Sequence, residues 1–215
     1  ALNNGQTETE TFTVTVTNAD GEQITQDIEV DVLGADDAAT IDGRSVTTGA
    51  VTEDATLTAS GDIDASDIDT RDAPLAYSLN TSDGTYGSIA IDADTGEWTY
   101  TLDNNLPATQ ALNNGQTETE TFTVTVTNED NETITQDITV AVSGADDGAT
   151  IEGSSVTTGA VTEDDAVTTA SGDIDASDID TGDNPLEYSL NTTDGTYGRI
   201  TIDPVSGEWT YTLDN

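Results

Sequence analysis

Thr121-Phe122-Thr123-Val124-Thr125-Val126 sets a threonine and an apolar residue on alternate steps. Successive side chains of a strand point to opposite faces, so this run makes a strand with one dry face and one threonine-covered face. Across the turn at Asn128 to Asn131, Ile134, Ile138, Val140 and Val142 continue the two-residue step on a facing strand. The result is an antiparallel hairpin. Upstream, Ile89 and Ile91 alternate with Ser88, Ala90 and Asp92, Asp94-Thr95-Gly96 turns the chain, and Trp98, Tyr100 and Leu102 alternate with threonines. That is a second hairpin. Leu75, Tyr77 and Leu79 add a strand before the turn at Asp83-Gly84, while Ile41, Val46, Val51 and Leu57 mark two shorter ones. The pattern predicts an all-β chain in which Tyr77, Trp98 and Tyr100 have the inward parity of core residues. Threonine on the outward positions suits a pleated surface and adds no charge.

The first hairpin is written twice. Ala1 to Asn18 reads letter for letter as Ala111 to Asn128, and residues 1–50 match 111–160 at a spacing of 110. From Ser60 onward the spacing is 111, with Asp165 as the extra residue. Solenoid turns repeat every 20 to 50 residues or so, whereas sandwich domains of short alternating strands run to about 100. The period is therefore a tandem β-sandwich domain. Gly34-Ala35-Asp36-Asp37 and its copy Gly144-Ala145-Asp146-Asp147 are small, polar and free of large apolar side chains, as linkers are. The alternative boundary, Asn105 to Gln110, carries Leu106 and Pro107 and runs into Leu112, which a domain would bury. The expected division is residues 1–36, the closing hairpin of one repeat; 37–146, a complete repeat; and 147–215, the first part of the next.

The charge is extreme. Asp and Glu number 44 against 3 arginines, Arg44, Arg71 and Arg199, for a formal net charge of -41. Such a surface repels phosphate backbones and anionic membranes, which excludes nucleic acid as a partner. The acidity fits either a chain living among divalent cations or one adapted to high salt. Clustering favours the first. Gly61-Asp62-Ile63-Asp64-Ala65-Ser66-Asp67-Ile68-Asp69-Thr70 returns as Gly172 to Thr181, with Asp173, Asp175, Asp178 and Asp180. Carboxylates about 4 Å apart repel by roughly 4 kcal/mol even at an effective dielectric near 20, so order here needs a cation or wide spacing. Oxygen ligands in number, without His or Cys, select calcium. The competing reading is that these aspartates are solvated turn residues, which Asp favours.

With no Cys there is no disulfide, and bound metal could supply the missing constraint. No run reaches the 18 or so apolar residues that mark a spanning helix, and Ala1 opens no signal peptide, so no membrane insertion is expected and the chain reads as an interior piece of a longer protein. Enzyme chemistry is not expected either. The chain has no His, Cys or Lys to act as base, nucleophile or Schiff-base amine, and no Gly-rich phosphate loop. A calcium-dependent carbohydrate-binding module is the alternative, with Trp98 or Trp209 as a stacking platform. An exposed indole would favour it and a shielded one would not.

Tyr86 to Asn104, Y-G-S-I-A-I-D-A-D-T-G-E-W-T-Y-T-L-D-N, followed by the Ala111-Leu112 and Gly115 loop, Thr121 to Val126 and Gly144 to Asp147, resembles the VCBS repeat in both copies. The resemblance implies a cadherin-like, immunoglobulin-type antiparallel β-sandwich, used in tandem as an extender in giant secreted bacterial adhesins of the RTX type. It implies a calcium-rigidified rod on the bacterial cell surface, exported by a type I system, that serves attachment or biofilm formation. Where the family usually ends G-T-N-D-A-P, this chain has G-A-D-D-A-A and G-A-D-D-G-A, without the stiffening proline. Carried over by position, the first calcium set is Asp36, Asp37, Asp67, Asp69 and Glu53, and the second is Asp146, Asp147, Asp178, Asp180 and Glu163. Neighbouring repeats of the same chain are the implied partners.

The phase of the repeat implies one more. Residues 1–36 carry a hairpin whose Phe12, Val14, Val16, Ile24, Ile28 and Val30 make a bare apolar face, and residues 147–215 lack that hairpin. An isolated hairpin is marginal in water, so the expectation is either head-to-tail strand complementation between molecules or a chain that is a window on a longer tandem array.

Overall fold

The computed structural model describes residues 2–69, 74–164 and 166–214. Thr70, Arg71 and the extra Asp165 lie outside them. Strands β1 (Thr7–Thr17) and β2 (Gln23–Leu33) form a hairpin in register from Thr7 opposite Leu33 to Thr17 opposite Gln23. Then come β3 (Thr40–Ile41), β4 (Thr48–Thr52), β5 (Thr58–Asp62), β6 (Ala65–Ser66), β7 (Ala76–Leu79), β8 (Gly87–Ile91) and β9 (Glu97–Leu102). A single helical turn, α1 (Pro107–Gln110), precedes the second hairpin, β10 (Thr117–Thr127) and β11 (Thr133–Ser143). The last strands are β12 (Thr150–Ile151), β13 (Thr169–Asp173), β14 (Ala176–Ser177), β15 (Gly198–Ile202) and β16 (Glu208–Leu213). Strand alternation had marked most of these, but α1 was not foreseen.

The backbone separates into two units, residues 1–51, 58–101 and 119–141, and residues 52–57, 102–118 and 142–215. The first unit carries a β-sandwich. One sheet has the order β4-β11-β10-β7 and the other β5-β9-β8. Their inner faces meet where the ring of Tyr100 on β9 lies 5.9 Å from that of Phe122 on β10. Val51, Ile63, Ile89, Trp98, Val124, Val126, Ile138 and Val140 complete a core of buried residues. The Trp98 indole donates to the carbonyl of Val46 at 2.7 Å. A Cβ at Gly61 would come within 2.7 Å of that ring and of the same carbonyl, so only glycine fits between them. The inward parity of Tyr77, Trp98 and Tyr100 is as the alternation predicts.

The two hairpins provide an internal control. Thr7–Thr17 and Thr117–Thr127 have the same eleven residues, yet the first is exposed throughout while the second buries alternate side chains. Phe12 is 52% exposed and Phe122 is 2% exposed. Sequence makes the strand, and only a facing sheet makes its core.

In the second unit, β13, β16 and β15 form a three-stranded sheet, and Trp209 donates to the carbonyl of Val156 at 2.7 Å, as Trp98 does to Val46. Residues 158–162 repeat β4 letter for letter and residues 187–190 repeat β7 with Glu187 in place of Ala76, but neither segment forms a strand. The reason is pairing. β4 and β7 are held as the outer strands of a sheet whose middle is β11 and β10, and the second unit carries no further copy of those two among its described residues.

Candidate metal centre

Short strand pairs assemble the acidic clusters. In the first unit β3 pairs with β6, Thr40 opposite Ser66 and Ile41 opposite Ala65, so the residues entering β3 run beside those leaving β6. Asp37 N therefore donates to Asp69 Oδ2 at 2.8 Å, and Asp69 N to Asp67 Oδ1 at 2.9 Å. Asp69 is fully buried. Asp36 Oδ1, Asp67 Oδ2 and Asp69 Oδ1 are buried oxygens with no hydrogen-bond partner. Glu132, on the turn between β10 and β11, joins this cluster. The Asp36 carboxyl beside it, with smaller contributions from desolvation, Asp130 and Asp67, holds it above the usual carboxylate range.

The second unit repeats the construction. Thr150 pairs with Ser177 and Ile151 with Ala176, Asp147 N donates to Asp180 Oδ2 at 2.9 Å, and Asp180 N to Asp178 Oδ1 at 3.0 Å. Asp180 is fully buried, and Asp147 Oδ2 and Asp180 Oδ1 have no hydrogen-bond partner. Asp146, Asp180 and Asp183 each bring one carboxylate oxygen to within 4.8 Å of the others. Burial, followed by the charges of Asp180, Asp54, Asp178 and Asp146, raises the Asp147 carboxyl above its ordinary value. Asp183 is raised by desolvation and then by Asp178, Asp146 and Asp180.

Glu53 belongs to this second cluster. The expected grouping with Asp36 and Asp37 is corrected by its bonds: Gln110 Nε2 donates to its Oε1 at 2.7 Å and Ala145 N to its Oε2 at 3.1 Å. The cause is strand direction. β4 runs parallel to β11, with Thr139 N donating to the Thr47 carbonyl and Glu53 N to that of Ser143, so the end of β4 arrives at the start of the Gly144 to Asp147 linker. Glu53 is 1% exposed, and desolvation lifts its carboxyl, assisted by Asp147 and Asp54 and opposed by its two donors. By the same logic Glu163, its copy, is exposed and accepts none of the bonds of the Ala145 to Asp147 segment.

The other four expected ligands serve the backbone. The Asp62 and Asp64 carbonyls accept from Val46 N and Asp42 N at 2.8 Å, and those of Asp173 and Asp175 from Val156 N and Glu152 N. Neither pair is brought to the linker carboxylates by any of these bonds. Sequence reasoning had missed Asp183, Glu132, Asp130, Gln110 and Asn113. Asp183 had a signal, since Asp72 keeps the same distance from the first motif, although Asp72 lies outside the described residues. Asn113 had none. It braces the loop by accepting from Gly182 N and donating to Thr181 Oγ1 at 3.3 Å.

Buried carboxylate oxygens without a donor are costly unless a cation or proton meets them. A donor set made only of carboxylate and carbonyl oxygen fits calcium. The residues present therefore suit such an ion: Asp36, Asp67 and Asp69 in one cluster, and Glu53, Asp146, Asp147, Asp180 and Asp183 in the other.

The profile of the bacterial cadherin-like domain matches residues 36–144, just over half of the chain. The chain belongs to that family. Among solved structures, this cadherin-like chain is similar to mouse cadherin-23 EC22-24, at 20% identity and a TM-score of 0.52 over 96% of its length and 64% of that structure. It is also similar to human CDH23 EC21-23, at 20% identity and a TM-score of 0.49 over 92% of its length and 65% of that structure. The chain thus spans less than two thirds of either. The first of these supports the β-sandwich fold. No curated protein sequence matches the chain. Among the described residues no helix is long and apolar enough to cross a membrane.

Proposed function

We propose that this chain is an extender segment of a large bacterial surface adhesin, in which tandem cadherin-like repeats are stiffened by calcium at their junctions. The observation that carries the proposal is that buried carboxylate oxygens without a hydrogen-bond partner gather at both acidic linkers. In this reading the repeat runs from residue 37 to 146, flanked by residues 1–36 and 147–215. Calcium would neutralise the linker and loop carboxylates together, so that the linker can no longer swing free of the loop it meets. The family supports an extracellular, structural or adhesive role, and the VCBS-like motifs support export by a type I system and a part in attachment or biofilm formation. The chain is non-enzymatic in this reading, because it has no His, Cys or Lys.

The carbohydrate-binding alternative loses its platform. Trp98 is 1% exposed and Trp209 8%, so neither offers an open face on which a sugar could stack. Calcium titration of the chain by calorimetry tests the main proposal. Saturable binding at roughly 0.1 to 1 mM, the range of extracellular modules, is expected. Heats no larger than those of dilution would end it.

A further inference from the structure

The turn of the hairpin occurs twice in the chain, and the two copies bond differently. Glu22 N donates to Asn18 Oδ1 and Glu132 N to Asn128 Oδ1, both at 2.8 Å. Each asparagine N in turn donates to the carbonyl of that glutamate, at 2.9 and 3.1 Å. The backbones of the two turns are thus held alike. Their carboxylates are not. In the first copy Asn18 Nδ2 donates to Glu22 Oε2 at 2.9 Å, which closes the turn on itself. In the second, Asn128 is 5% exposed and its Nδ2 is a buried donor without a hydrogen-bond partner. The Glu132 carboxyl lies instead beside that of Asp36, within reach of the charges of Asp130 and Asp67. Rotating the Asn128 amide would not mend this, because Glu132 N already needs its oxygen. Glu132 has left a neutral donor for a group of acids, against the repulsion of like charges.

We propose that Glu132 is a calcium ligand, and that an ion held by Asp36, Asp67, Asp69 and Glu132 fastens the turn between β10 and β11 to the linker that enters the repeat. This rests on the calcium reading above and adds to the linker and its facing loop a further point of attachment. Asp69 points to an ion here. It is fully buried, its Oδ2 accepts from Asp37 N, and its Oδ1 meets no donor, while Asp36 Oδ1 and Asp67 Oδ2 are buried and unpartnered in the same way. A cation supplies what these oxygens lack. Calcium takes roughly 6 to 8 oxygen ligands, so three aspartates leave room for a carboxylate from the turn. The turn is placed to provide it. Ala38, Ala39 and Asn131 to Ile134 line one cavity, so the turn runs beside the chain just past the linker. β11 begins at Thr133, next to Glu132, and ends at Ser143, next to the following linker. An ion on Glu132 therefore joins the linker before the repeat to the strand that leads out of it, and tension between linkers gains a route along one strand.

The test compares Glu132→Gln with Glu129→Gln in the full chain. Both glutamates are exposed and both changes remove one charge from the same turn, but only Glu132 lies beside Asp36. Calcium binding is measured by calorimetry, and amide hydrogen exchange locates its effect. The turns at 18–22 and 128–132 differ in sequence, so their peptides are told apart. Glu132→Gln should weaken the binding of one ion by about tenfold or more, and Glu129→Gln should not. Calcium should slow exchange across residues 128–134 in the parent and in Glu129→Gln, and should not do so in Glu132→Gln. In chelator Glu132→Gln should melt no lower than the parent, because it keeps the backbone bonds to Asn128 and removes a repulsion. A lower melting temperature there would show a structural role instead and overturn the inference. Unaltered affinity and protection in Glu132→Gln, with the parent binding calcium, would also overturn it and leave the calcium reading standing. A parent that binds no calcium would end both.

Discussion

Asp67 and Asp62 stand five residues apart in one motif, and both looked like ligands in the sequence, yet only Asp67 faces the linker. The difference lies in the backbone, since the Asp62 carbonyl is taken by Val46 while Asp67 stands past the end of β6, where the chain turns toward Asp37. Asp67→Ala with Asp69→Ala should lower calcium stoichiometry while leaving the sandwich folded, because no core residue bonds to these side chains. Calorimetric titration beside circular dichroism checks both halves, and an unchanged ion count would reduce the pair to a turn. A pH prediction follows from Glu53, Asp147 and Asp183, whose carboxyls are raised chiefly by desolvation. An acid with a raised folded value holds its proton more tightly when folded. Between the ordinary range near pH 4 and that raised value the folded state binds more protons, and stability falls as pH rises. Asp92 and Asp203, lowered by backbone donors in their turns, act oppositely, but their window lies below about pH 4. In chelator, melting temperature should therefore decline from mildly acid pH toward neutrality. In calcium the decline should be offset, because the ion and the proton compete for the same oxygens. A melting temperature that climbs with pH in chelator would contradict this assignment.

The two identical strands give the element-scale prediction. Phe122→Ala should cost about 3 to 5 kcal/mol of stability by leaving a cavity against Tyr100. Phe12→Ala, on the exposed hairpin, should cost no more than about 0.5 kcal/mol in dilute chain, where copies do not meet. Denaturant melts of the two variants at low concentration check the contrast, and equal losses would show that the first hairpin is buried in solution. The contrast also marks what was legible in the sequence. Alternation in Thr121 to Val126 and around Trp98 located strands and their dry faces, because both are local properties of the chain. It could not say that residues 158–162 would fail as a strand when Thr48–Thr52 succeeds, because that depends on a partner far away in sequence. The destination of Glu53 was hidden for the same reason. Only the parallel course of β4 along β11 brings it to Ala145, and an antiparallel hairpin chain gives no local hint of one parallel pair.

At the scale of the whole molecule, the formal charge of -41 and the repeat period act together. Charge spread evenly over the surface would add solubility and little else, but carboxylates gather at each acidic linker and at the loop that linker meets. Without a cation these groups repel over a Debye length of about 8 Å at physiological salt, comparable to the size of the clusters themselves. The period and the acidic linkers were both legible in the sequence. The membership of each cluster was not, since Glu132 and Asp183 arrive through turns that only the fold places. Calcium at 100 times its dissociation constant should stabilise the folded chain by about 2.7 kcal/mol per site, which thermal melts would register as a clear upward shift. Small-angle scattering on the same samples should show a larger maximum dimension and a narrower spread of conformations in calcium than in chelator, because each ion ties a linker to the loop of the repeat that follows. If the scattering profile and the melting temperature are both the same in calcium and in chelator, the acidic linkers are solvated turns and the extender reading must rest on the fold alone.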